Sequence, residues 1–448
     1  MKWHYTVRLA FLFAVGAVAI GAFFWGVWSM SFQSKSVIAH GFVETKFIDK
    51  FEHERTFLVY VPPGHQSVER LPLLLFLNGR GENGFDGYWT IENNFGLQIW
   101  ENKQSFPFVC AIPQCAENKN FNGEQLEVAL DFADYVAKEY GTDPDRFYIT
   151  GVSQGGDGVW HAISKYPERF AAAVPLCGKP RVDAEKLAGS GLPIWNLYNQ
   201  GDSASLVKMN EETRQQLLEA GASPNFTQYK QGGHDCWNLG FRSVGMWNWL
   251  TKQSRTPDRA KNGLFQLLSP QQALDAWTAS PDSAWIASED GSLVASSAVG
   301  DADHFAMLVS DLAYGPFDFH VDAIFGETAS LCRIVLVESD GDSVSPSGLE
   351  IVLPLSEAGI GGVRRLNGEW IAALNPEAQR QLQADHANDI RIAGQGKHLE
   401  LRINGWLAME MPLLDSENGQ ARELRPAIVS DEGVSWKNLR VRSVQERG

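Results

Sequence analysis

The sequence has few cysteines, no surplus of basic residues and no cysteine-histidine spacing of the kind that holds zinc. It contains 5 Cys in 448 residues, and its 38 Lys and Arg stand against 54 Asp and Glu, for a formal net charge of −16. A nucleic-acid partner needs a basic face for its phosphates, so this balance argues against one. The sequence likewise predicts no zinc site.

The cysteines leave the state of the thiols open. Four of them fall in the first folded region, where four cysteines allow three pairings, and Cys332 is alone in the second. Buried free thiols fit the same sequence equally well. The four are Cys110, Cys115, Cys177 and Cys236.

The apolar content and the length predict several folded domains. Hydrophobic residues make up 44% of the chain and include 15 Trp. A chain of 448 residues is also too long to fold around one ordinary hydrophobic core. The negative charge is concentrated toward the C-terminus, where residues 261–448 hold 27 Asp and Glu against 14 Lys and Arg. The C-terminal part of the chain is therefore more acidic than the part before it.

Residues 9–30 carry no charge and are long enough to cross a bilayer of about 30 Å. A secretory signal has a shorter apolar region and a small-x-small cleavage site, and the best candidate site, at residues 27–29, is poor. We therefore predict an uncleaved anchor within residues 1–32, with a cleaved signal as the alternative. Lys2 and Arg8 precede the segment and place the N-terminus in the cytoplasm, so the rest of the chain is expected in the periplasm or outside the cell.

Around Ser153 a short β-type run meets three glycines, in Thr-Gly-Val-Ser-Gln-Gly-Gly at 150–156. A Gly-x-Ser-x-Gly turn between a strand and a helix strains the serine backbone and lifts the hydroxyl clear of the sheet. The apolar spacing of residues 123–140 predicts a helix before the strand, and residues 157–166 have helix-compatible composition after it. We therefore interpret this stretch as a nucleophile elbow.

The segments around the elbow alternate between strands and helices. Strands are predicted at 37–47, 55–61, 71–77, 108–112, 170–175, 193–197 and 225–229, and further helices at 210–219 and 241–250. The continuous apolar run at 71–77 is typical of a buried parallel strand. This order predicts an α/β fold with a parallel sheet over residues 36–252.

Three blocks of this region resemble a known family. They are Leu-Pro-Leu-Leu-Leu-Phe-Leu-Asn-Gly-Arg-Gly-Glu at 71–82, Asp-Pro-Asp-Arg-Phe-Tyr-Ile-Thr-Gly-Val-Ser-Gln-Gly-Gly at 143–156 and Gly-Gly-His-Asp-Cys-Trp at 232–237. Together they are similar to the α/β-hydrolase esterases, a group of feruloyl, acetylxylan and polyhydroxyalkanoate-depolymerase-like enzymes that also includes predicted peptidases. The family usually has His-Gly where this chain has Asn78-Gly79.

The order Ser, acid, His along this fold points to Asp202 and His234 as partners of Ser153. Asp202 follows the strand predicted at 193–197, and His234 follows the last strand after two glycines. Further candidates are Asp157, Asp183 and Asp235 for the acid and His161 and His65 for the base.

The expected chemistry is acyl transfer, with His234 taking the proton of Ser153 and water hydrolysing the acyl-enzyme. The backbone N–H groups of Arg80 and Gln154 are the predicted oxyanion donors. Trp237 is predicted either to line the substrate pocket or to pack in the core. No metal or organic cofactor is required. The short interval between the elbow and Asp202 leaves no room for a large lid.

Beyond a polar linker at 253–262, short alternating runs separated by turns predict an all-β sandwich at 263–446. Four blocks, at 290–293, 314–319, 402–405 and 434–441, make it similar to the concanavalin-like, jelly-roll 3-keto-disaccharide hydrolase domain. The resemblance implies the fold and no catalytic residues. The acidic turn at 338–342 is either a calcium loop or a solvated turn.

These observations predict a membrane-anchored, extracytoplasmic serine esterase acting on esters carried by polysaccharide. A serine peptidase of the same fold and an inactive carbohydrate-binding protein are the competing hypotheses. The sandwich is expected to be a targeting unit with a core of its own, and Trp285, Trp370, Trp406 and Trp436 are its candidate sugar-contacting residues.

Overall fold

The structure is a computed structural model. It describes residues 40–63, 65, 70–91, 94–255, 264–280, 285–295, 307–338, 348–366, 368–395, 398–413 and 423–444. Within these ranges no helix is both long and apolar enough to cross a membrane. The anchor predicted at 9–30 and most of the acidic turn at 338–342 lie outside the described residues. Both stay predictions.

The first half of the chain folds around one eight-stranded sheet. Its strands are β1 (Gly41–Ile48), β2 (Glu54–Val61), β3 (Leu73–Leu77), β4 (Val109–Ile112), β5 (Phe147–Val152), β6 (Ala172–Leu176), β7 (Trp195–Asn199) and β8 (Asn225–Tyr229). They lie in the order β1-β2-β4-β3-β5-β6-β7-β8. The β1-β2 and β2-β4 pairs are antiparallel, and every later pair in this order, from β4-β3 to β7-β8, is parallel. After its resemblance to the α/β-hydrolase esterases, we refer to this half as the hydrolase domain.

Helices connect the strands of this sheet and follow the last one. They are α1 (Asn94–Glu101), α2 (Gly123–Tyr140), α3 (Gln154–Lys165), α4 (Ala184–Ser190), α5 (Ala204–Glu219), α6 (Trp237–Gly240) and α7 (Val244–Thr251). The predicted α/β fold is therefore confirmed, and α2 has the predicted bounds. Helix α5 begins six residues before the predicted start, because the buried polar residues Asn210 and Thr213 interrupt the apolar periodicity of its inner face.

The second half is built from two antiparallel sheets. Its strands are β9 (Gln266–Leu267), β10 (Trp277–Ser280), β11 (Trp285–Ala287), β12 (Leu293–Ala295), β13 (Met307–Ser310), β14 (Phe317–Phe325), β15 (Leu331–Glu338), β16 (Gly348–Pro354), β17 (Gly362–Arg365), β18 (Trp370–Ala373), β19 (Ala387–Gln395), β20 (His398–Ile403), β21 (Trp406–Pro412), β22 (Leu424–Val429) and β23 (Val434–Ser443), with helices α8 (Pro270–Ala276) and α9 (Pro376–Gln379). One sheet has the order β10-β13-β22-β15-β16-β17-β18 and the other β11-β12-β23-β14-β19-β20-β21. This all-β part, here called the β-domain, confirms the predicted class.

The two domains share one apolar core, so the predicted separate cores are wrong. Trp195 of β7 lies at the junction, with ring centroids 5.5 Å from Trp249 of α7 and 6.1 Å from Trp406 of β21. All three belong to one continuous cluster of buried side chains that runs through both domains. The first residues of the predicted linker also bind the hydrolase domain, since Arg255 N–H donates to Asp145 O at 2.7 Å.

A buried ionic network reinforces this junction. Side chains alternate along β14, so its apolar residues face the core between the two sheets while Asp318, His320 and Asp322 project from the opposite face. The guanidinium of Arg214, from α5, donates two hydrogen bonds of 2.7 Å to Asp322. Within the β-domain, Arg391 pairs with Asp318 through two bonds of 2.8 Å. The hydrolase domain thus covers a charged sheet face that would otherwise meet water.

This network predicts a fold that weakens in acid. Burial alone would raise the pKa of Asp318, but the positive charge of Arg391 holds it well below its usual value. Burial also opposes ionisation of Asp389, yet the neighbouring His320 and the charge of Arg440 lower its pKa. Carboxyl groups with lowered folded-state pKa values contribute stability that is complete above the unfolded-state pKa, about 4, and is lost as the pH falls through that value toward the folded-state pKa.

We therefore expect the urea midpoint of the full chain to fall steeply between about pH 4.5 and pH 3. The measurement is a series of urea titrations followed by tryptophan fluorescence. A midpoint that stays constant down to pH 3 would show that these carboxylates do not stabilise the folded state.

All five cysteines are buried free thiols in this structure. Burial raises the pKa of Cys110 and of Cys332 well above the ordinary thiol value, and that of Cys115 to about 12. Of the two possibilities left by the sequence, the structure therefore shows buried free thiols.

Candidate active site

Ser153 lies at the sharp turn between β5 and α3. Its backbone has φ 54° and ψ −115°, a strained conformation for a residue with a side chain. The turn depends on close backbone contact, since a Cβ placed on Gly155 would lie 1.9 Å from Leu77 O and one on Gly151 would lie 2.6 Å from Gly155 O. The predicted strand, turn and helix are all present, and the hydroxyl stands at the carboxyl end of the sheet.

The structure brings Ser153, His234 and Asp202 into one hydrogen-bonded row. Ser153 Oγ lies 2.7 Å from His234 Nε2, and His234 Nδ1 lies 2.7 Å from Asp202 Oδ2. Because a carboxylate only accepts, Nδ1 carries the proton and Nε2 is left to accept from the hydroxyl. The Asp202 carboxylate is 5% exposed, whereas the His234 imidazole is 48% exposed. The row therefore runs from a sheltered acid to a base open to solvent.

The loop between β7 and α5 fixes the carboxylate of Asp202. Ser203 N–H donates to Asp202 Oδ1 at 2.6 Å, which leaves Oδ2 for the imidazole. Asn199, the last residue of β7, reaches across to the next loop, where its Nδ2 donates to Gly233 O at 2.8 Å. The loop that carries the acid, residues 200–203, is thus tied to the loop that carries the base.

Asp235 orders the loop that carries His234, residues 230–236. Its carboxylate accepts hydrogen bonds from Gly233 N–H at 3.1 Å and from Asn238 Nδ2 at 2.9 Å. The sequence makes this aspartate a candidate for the acid of the row, and the structure gives it a different set of partners. The sequence thus identified the position of Asp235 but not its supporting role.

The remaining candidates for the acid and the base have partners outside the row. Asp157 accepts from Lys179 N–H at 2.6 Å, and Asp183 caps α4 by accepting from Lys186 N–H at 3.0 Å. His65 Nε2 lies 2.9 Å from Tyr140 O. His161, on α3, lines a shallow groove with Glu127. Among the described residues, the side-chain hydrogen bond of Ser153 goes to His234 and to none of these four.

The two predicted oxyanion donors belong to helix α3, which follows Ser153, and to the loop that contacts the elbow. Gln154 N–H opens α3, and Arg80 opens the short 3-10 helix Arg80–Glu82. The adjacent Gly79 N–H is already taken, since it donates to the buried Glu82 carboxylate at 3.1 Å. This loop contacts the elbow, because a Cβ on Gly79 would lie 3.9 Å from Ser153 Cβ. In the described part of the chain neither the Arg80 nor the Gln154 N–H is used in a backbone hydrogen bond.

Asn78 replaces the usual family histidine and supports the same loop. Its Nδ2 donates to Gly79 O at 2.8 Å and to Asn83 Oδ1 at 3.1 Å, and its Oδ1 accepts from Cys115 N–H at 2.9 Å. The buried Asn78 therefore stabilises the loop of residues 79–83 and connects it to the segment after β4 at Cys115. Its departure from the family pattern was the sequence signal for this position.

Trp237 packs against the base. It is partly buried against the core, and its ring stands perpendicular to His234 with centroids 5.9 Å apart. The structure thus gives it a packing role on one side of the imidazole. Within the described residues no cluster of three His, Cys, Asp or Glu side chains is arranged to hold a metal ion.

Comparison with known sequences finds related proteins for parts of this chain. A bifunctional acetylxylan esterase/xylanase of Neocallimastix patriciarum is 35% identical over 69 residues, which are 15% of this chain and 10% of that protein. Dipeptidyl-peptidase 5 of Porphyromonas gingivalis is 24% identical over 130 residues, 27% of this chain and 19% of that protein. The chain therefore spans between a tenth and a fifth of the length of these two relatives.

Similar solved structures include a thermostable esterase with 28% identity and a TM-score of 0.45, covering 48% of this chain and 63% of that one. A ferulic acid esterase has 16% identity and a TM-score of 0.38, covering 47% of this chain and 97% of that one.

Two family models match separate parts of the sequence. Residues 48–242 match the model described as a putative esterase, and residues 265–442 match the 3-keto-alpha-glucoside-1,2-lyase-like domain. The two matches correspond to the hydrolase domain and the β-domain. The chain is therefore similar to the putative esterase family over its first half and to the 3-keto-alpha-glucoside-1,2-lyase-like domain over its second half.

Proposed function

We propose that the protein is a serine hydrolase of carboxylic esters that works through an acyl-enzyme, with Ser153 as nucleophile, His234 as general base and Asp202 as the orienting acid. The observation that carries this proposal is the row of two 2.7 Å hydrogen bonds that ends at a serine in a strained turn. Such geometry activates a hydroxyl that is otherwise a weak nucleophile at neutral pH.

The chemistry follows from the direction of each hydrogen bond. His234 Nε2 accepts the proton of Ser153 as Oγ attacks the ester carbonyl, and Asp202 stabilises the resulting imidazolium. The carbonyl oxygen becomes an oxyanion that accepts from the N–H groups of Gln154 and Arg80, an interaction worth roughly 3 kcal/mol for each donor. The imidazolium then protonates the departing alkoxide, and a water molecule releases the acid from Ser153 by the same steps in reverse.

We propose polysaccharide-linked esters as the substrate class. The esterase domain is followed by a domain whose family description refers to a glucoside, and one relative is described as an acetylxylan esterase. The base is exposed, and the short segment between the elbow and Asp202 leaves the site open to bulky substrates.

A serine peptidase is the second candidate, supported by the match to dipeptidyl-peptidase 5. Esters have better leaving groups than amides, so an ester is the less demanding substrate for the same row of residues. We therefore place esterase activity first.

Labelling by a fluorophosphonate probe tests the proposed function. We expect the full chain to be labelled covalently and Ser153→Ala to remain unlabelled while its circular dichroism spectrum is unchanged. Matched p-nitrophenyl ester and p-nitroanilide substrates then separate the two candidates, and turnover of the ester alone is the expected result. A wild-type chain that is neither labelled nor active on either substrate would contradict the proposed catalytic role.

A further inference from the structure

A short segment of the β-domain contacts both loops of the proposed active site. Residues 382–386, here called the clasp, lie between α9 and β19. Lys230 Nζ donates to Leu382 O at 2.7 Å, and Gln383 Nε2 donates to Gln228 O. At the other end of the clasp, His386 Nε2 lies 3.0 Å from Gln200 Nε2.

The three residues that the clasp contacts lie in or next to the loops that carry Asp202 and His234. Gln200 lies two residues before Asp202, in the loop of residues 200–203. Gln228 belongs to β8, and Lys230 begins the loop of residues 230–236 that carries His234. Gln200 N–H also donates to Tyr229 O at 2.8 Å, so the two loops meet where the clasp binds them.

The contact at His386 has a defined direction. His386 Nδ1 lies 3.0 Å from Ala384 O, and a carbonyl oxygen only accepts, so Nδ1 carries the proton. In the neutral imidazole Nε2 therefore accepts from the amide of Gln200. His386 Nε2 is thus an acceptor for Gln200 in the acid loop. Toward the base, Leu382 O accepts from Lys230 and Gln383 Nε2 donates to Gln228 O.

The clasp is held rigid from within the β-domain. Asn388 is fully buried, and its Nδ2 donates to Gln383 O at 2.8 Å and to His386 O at 3.0 Å, while its Oδ1 accepts from Gln383 N–H at 2.8 Å. Asn404 Nδ2 donates to Gln381 O at 2.8 Å on the other side. A buried asparagine that satisfies several backbone groups of one turn fixes that turn before it meets its partner.

We infer that the clasp positions Asp202 and His234 for catalysis, so that the β-domain completes the active site of the hydrolase domain. This inference rests on the proposed function. Lys230 and His386 act as positioning residues, because they hold the two loops and touch neither the hydroxyl of Ser153 nor the oxyanion donors. Displacements near 1 Å at a reacting group lower turnover by up to about 10²-fold, so even modest loosening of these loops is measurable.

The test compares full-chain variants on a small soluble p-nitrophenyl ester, which makes no use of polysaccharide binding. The double variant Lys230→Met with His386→Phe is expected to lower kcat about tenfold and to leave KM within about twofold. The variant Lys230→Arg with His386→Gln keeps a donor and an acceptor at these positions, and we expect it to recover most of kcat. Gln200→Leu removes the acid-loop contact alone and provides a milder variant if the double one is unstable.

Lys252→Met is the matched control. Lys252 forms an exposed interdomain ion pair with Glu410 at 3.4 Å, outside the two loops, so its loss is expected to leave kcat unchanged. Wild-type kcat in both the double variant and Gln200→Leu, or an equal loss in Lys252→Met, would overturn the positioning role. A wild-type chain without turnover that depends on Ser153 would instead overturn the proposed function itself.

Discussion

Replacing Asp202 by asparagine is expected to lower kcat for ester hydrolysis by about 10⁴-fold while the protein stays folded. The carboxylate accepts from Ser203 N–H through Oδ1 and from His234 Nδ1 through Oδ2. In the amide, the oxygen keeps the bond to Ser203 and the NH₂ group faces the imidazole. His234 must then carry its proton on Nε2, where it cannot accept the proton of Ser153.

The measurement is single-turnover or steady-state hydrolysis of a p-nitrophenyl ester, with thermal unfolding as the check on folding. Asp183→Asn is the matched control, since Asp183 caps α4 and asparagine caps helices equally well. We expect the control to retain wild-type turnover. If Asp202→Asn also retained it, the orienting acid would lie elsewhere.

Replacing Arg214 by methionine is expected to destabilise the whole chain by about 3–5 kcal/mol, since removing one partner of a buried ion pair leaves the other charge uncompensated. Asp322 is fully buried and receives both hydrogen bonds from Arg214, and Asp389 lies 3.5 Å from the same guanidinium. Because the pair joins α5 to β14, the loss falls on the contact between the domains. The measurement is the urea unfolding free energy at pH 7.

Lys208→Met is the control on the same helix. Lys208 pairs with Glu212 one turn away at 3.6 Å, and both side chains are exposed. Exposed pairs of this kind contribute less than about 1 kcal/mol, so this variant is expected to unfold like the wild type. An unfolding free energy for Arg214→Met equal to that of the control would mean that the ion pair adds no net stability.

The sequence was informative where local chemistry dictates structure. The glycines around Ser153 are required by backbone contacts that admit no Cβ, so the turn was visible from residue types alone. The order of Asp202 and His234 along the chain follows from where strands end in this fold, and the structure places both beside the serine. The bond from Cys115 N–H to Asn78 Oδ1 was not predictable, because Cys115 is distant in sequence.

The contact between the two domains could not be predicted from the sequence, and the reason is physical. Along β14 the apolar residues alternate with Asp318, His320 and Asp322, a pattern typical of a strand with one face in water. The polar face is instead buried, because Arg214 of another domain supplies the compensating charge. Alternation reports which residues lie on the same face and does not report what covers that face.

Strand β8 lies at the edge of the sheet of the hydrolase domain, and this position affects how the chain folds during its synthesis. β8 is the last strand in the sheet order, and it binds the β-domain through the bond from Gln383 Nε2 to Gln228 O and through the bond from Thr227 Oγ1 to Asn404 O at 2.5 Å. Ribosomes release residues 41–255 first, so we expect the nascent hydrolase domain to hold an unprotected strand edge, prone to pairing with other chains, until residues 381–405 emerge. A chain stopped at residue 255 should therefore aggregate on synthesis unless a chaperone occupies that edge, and a monodisperse, soluble product would show that β8 protects itself.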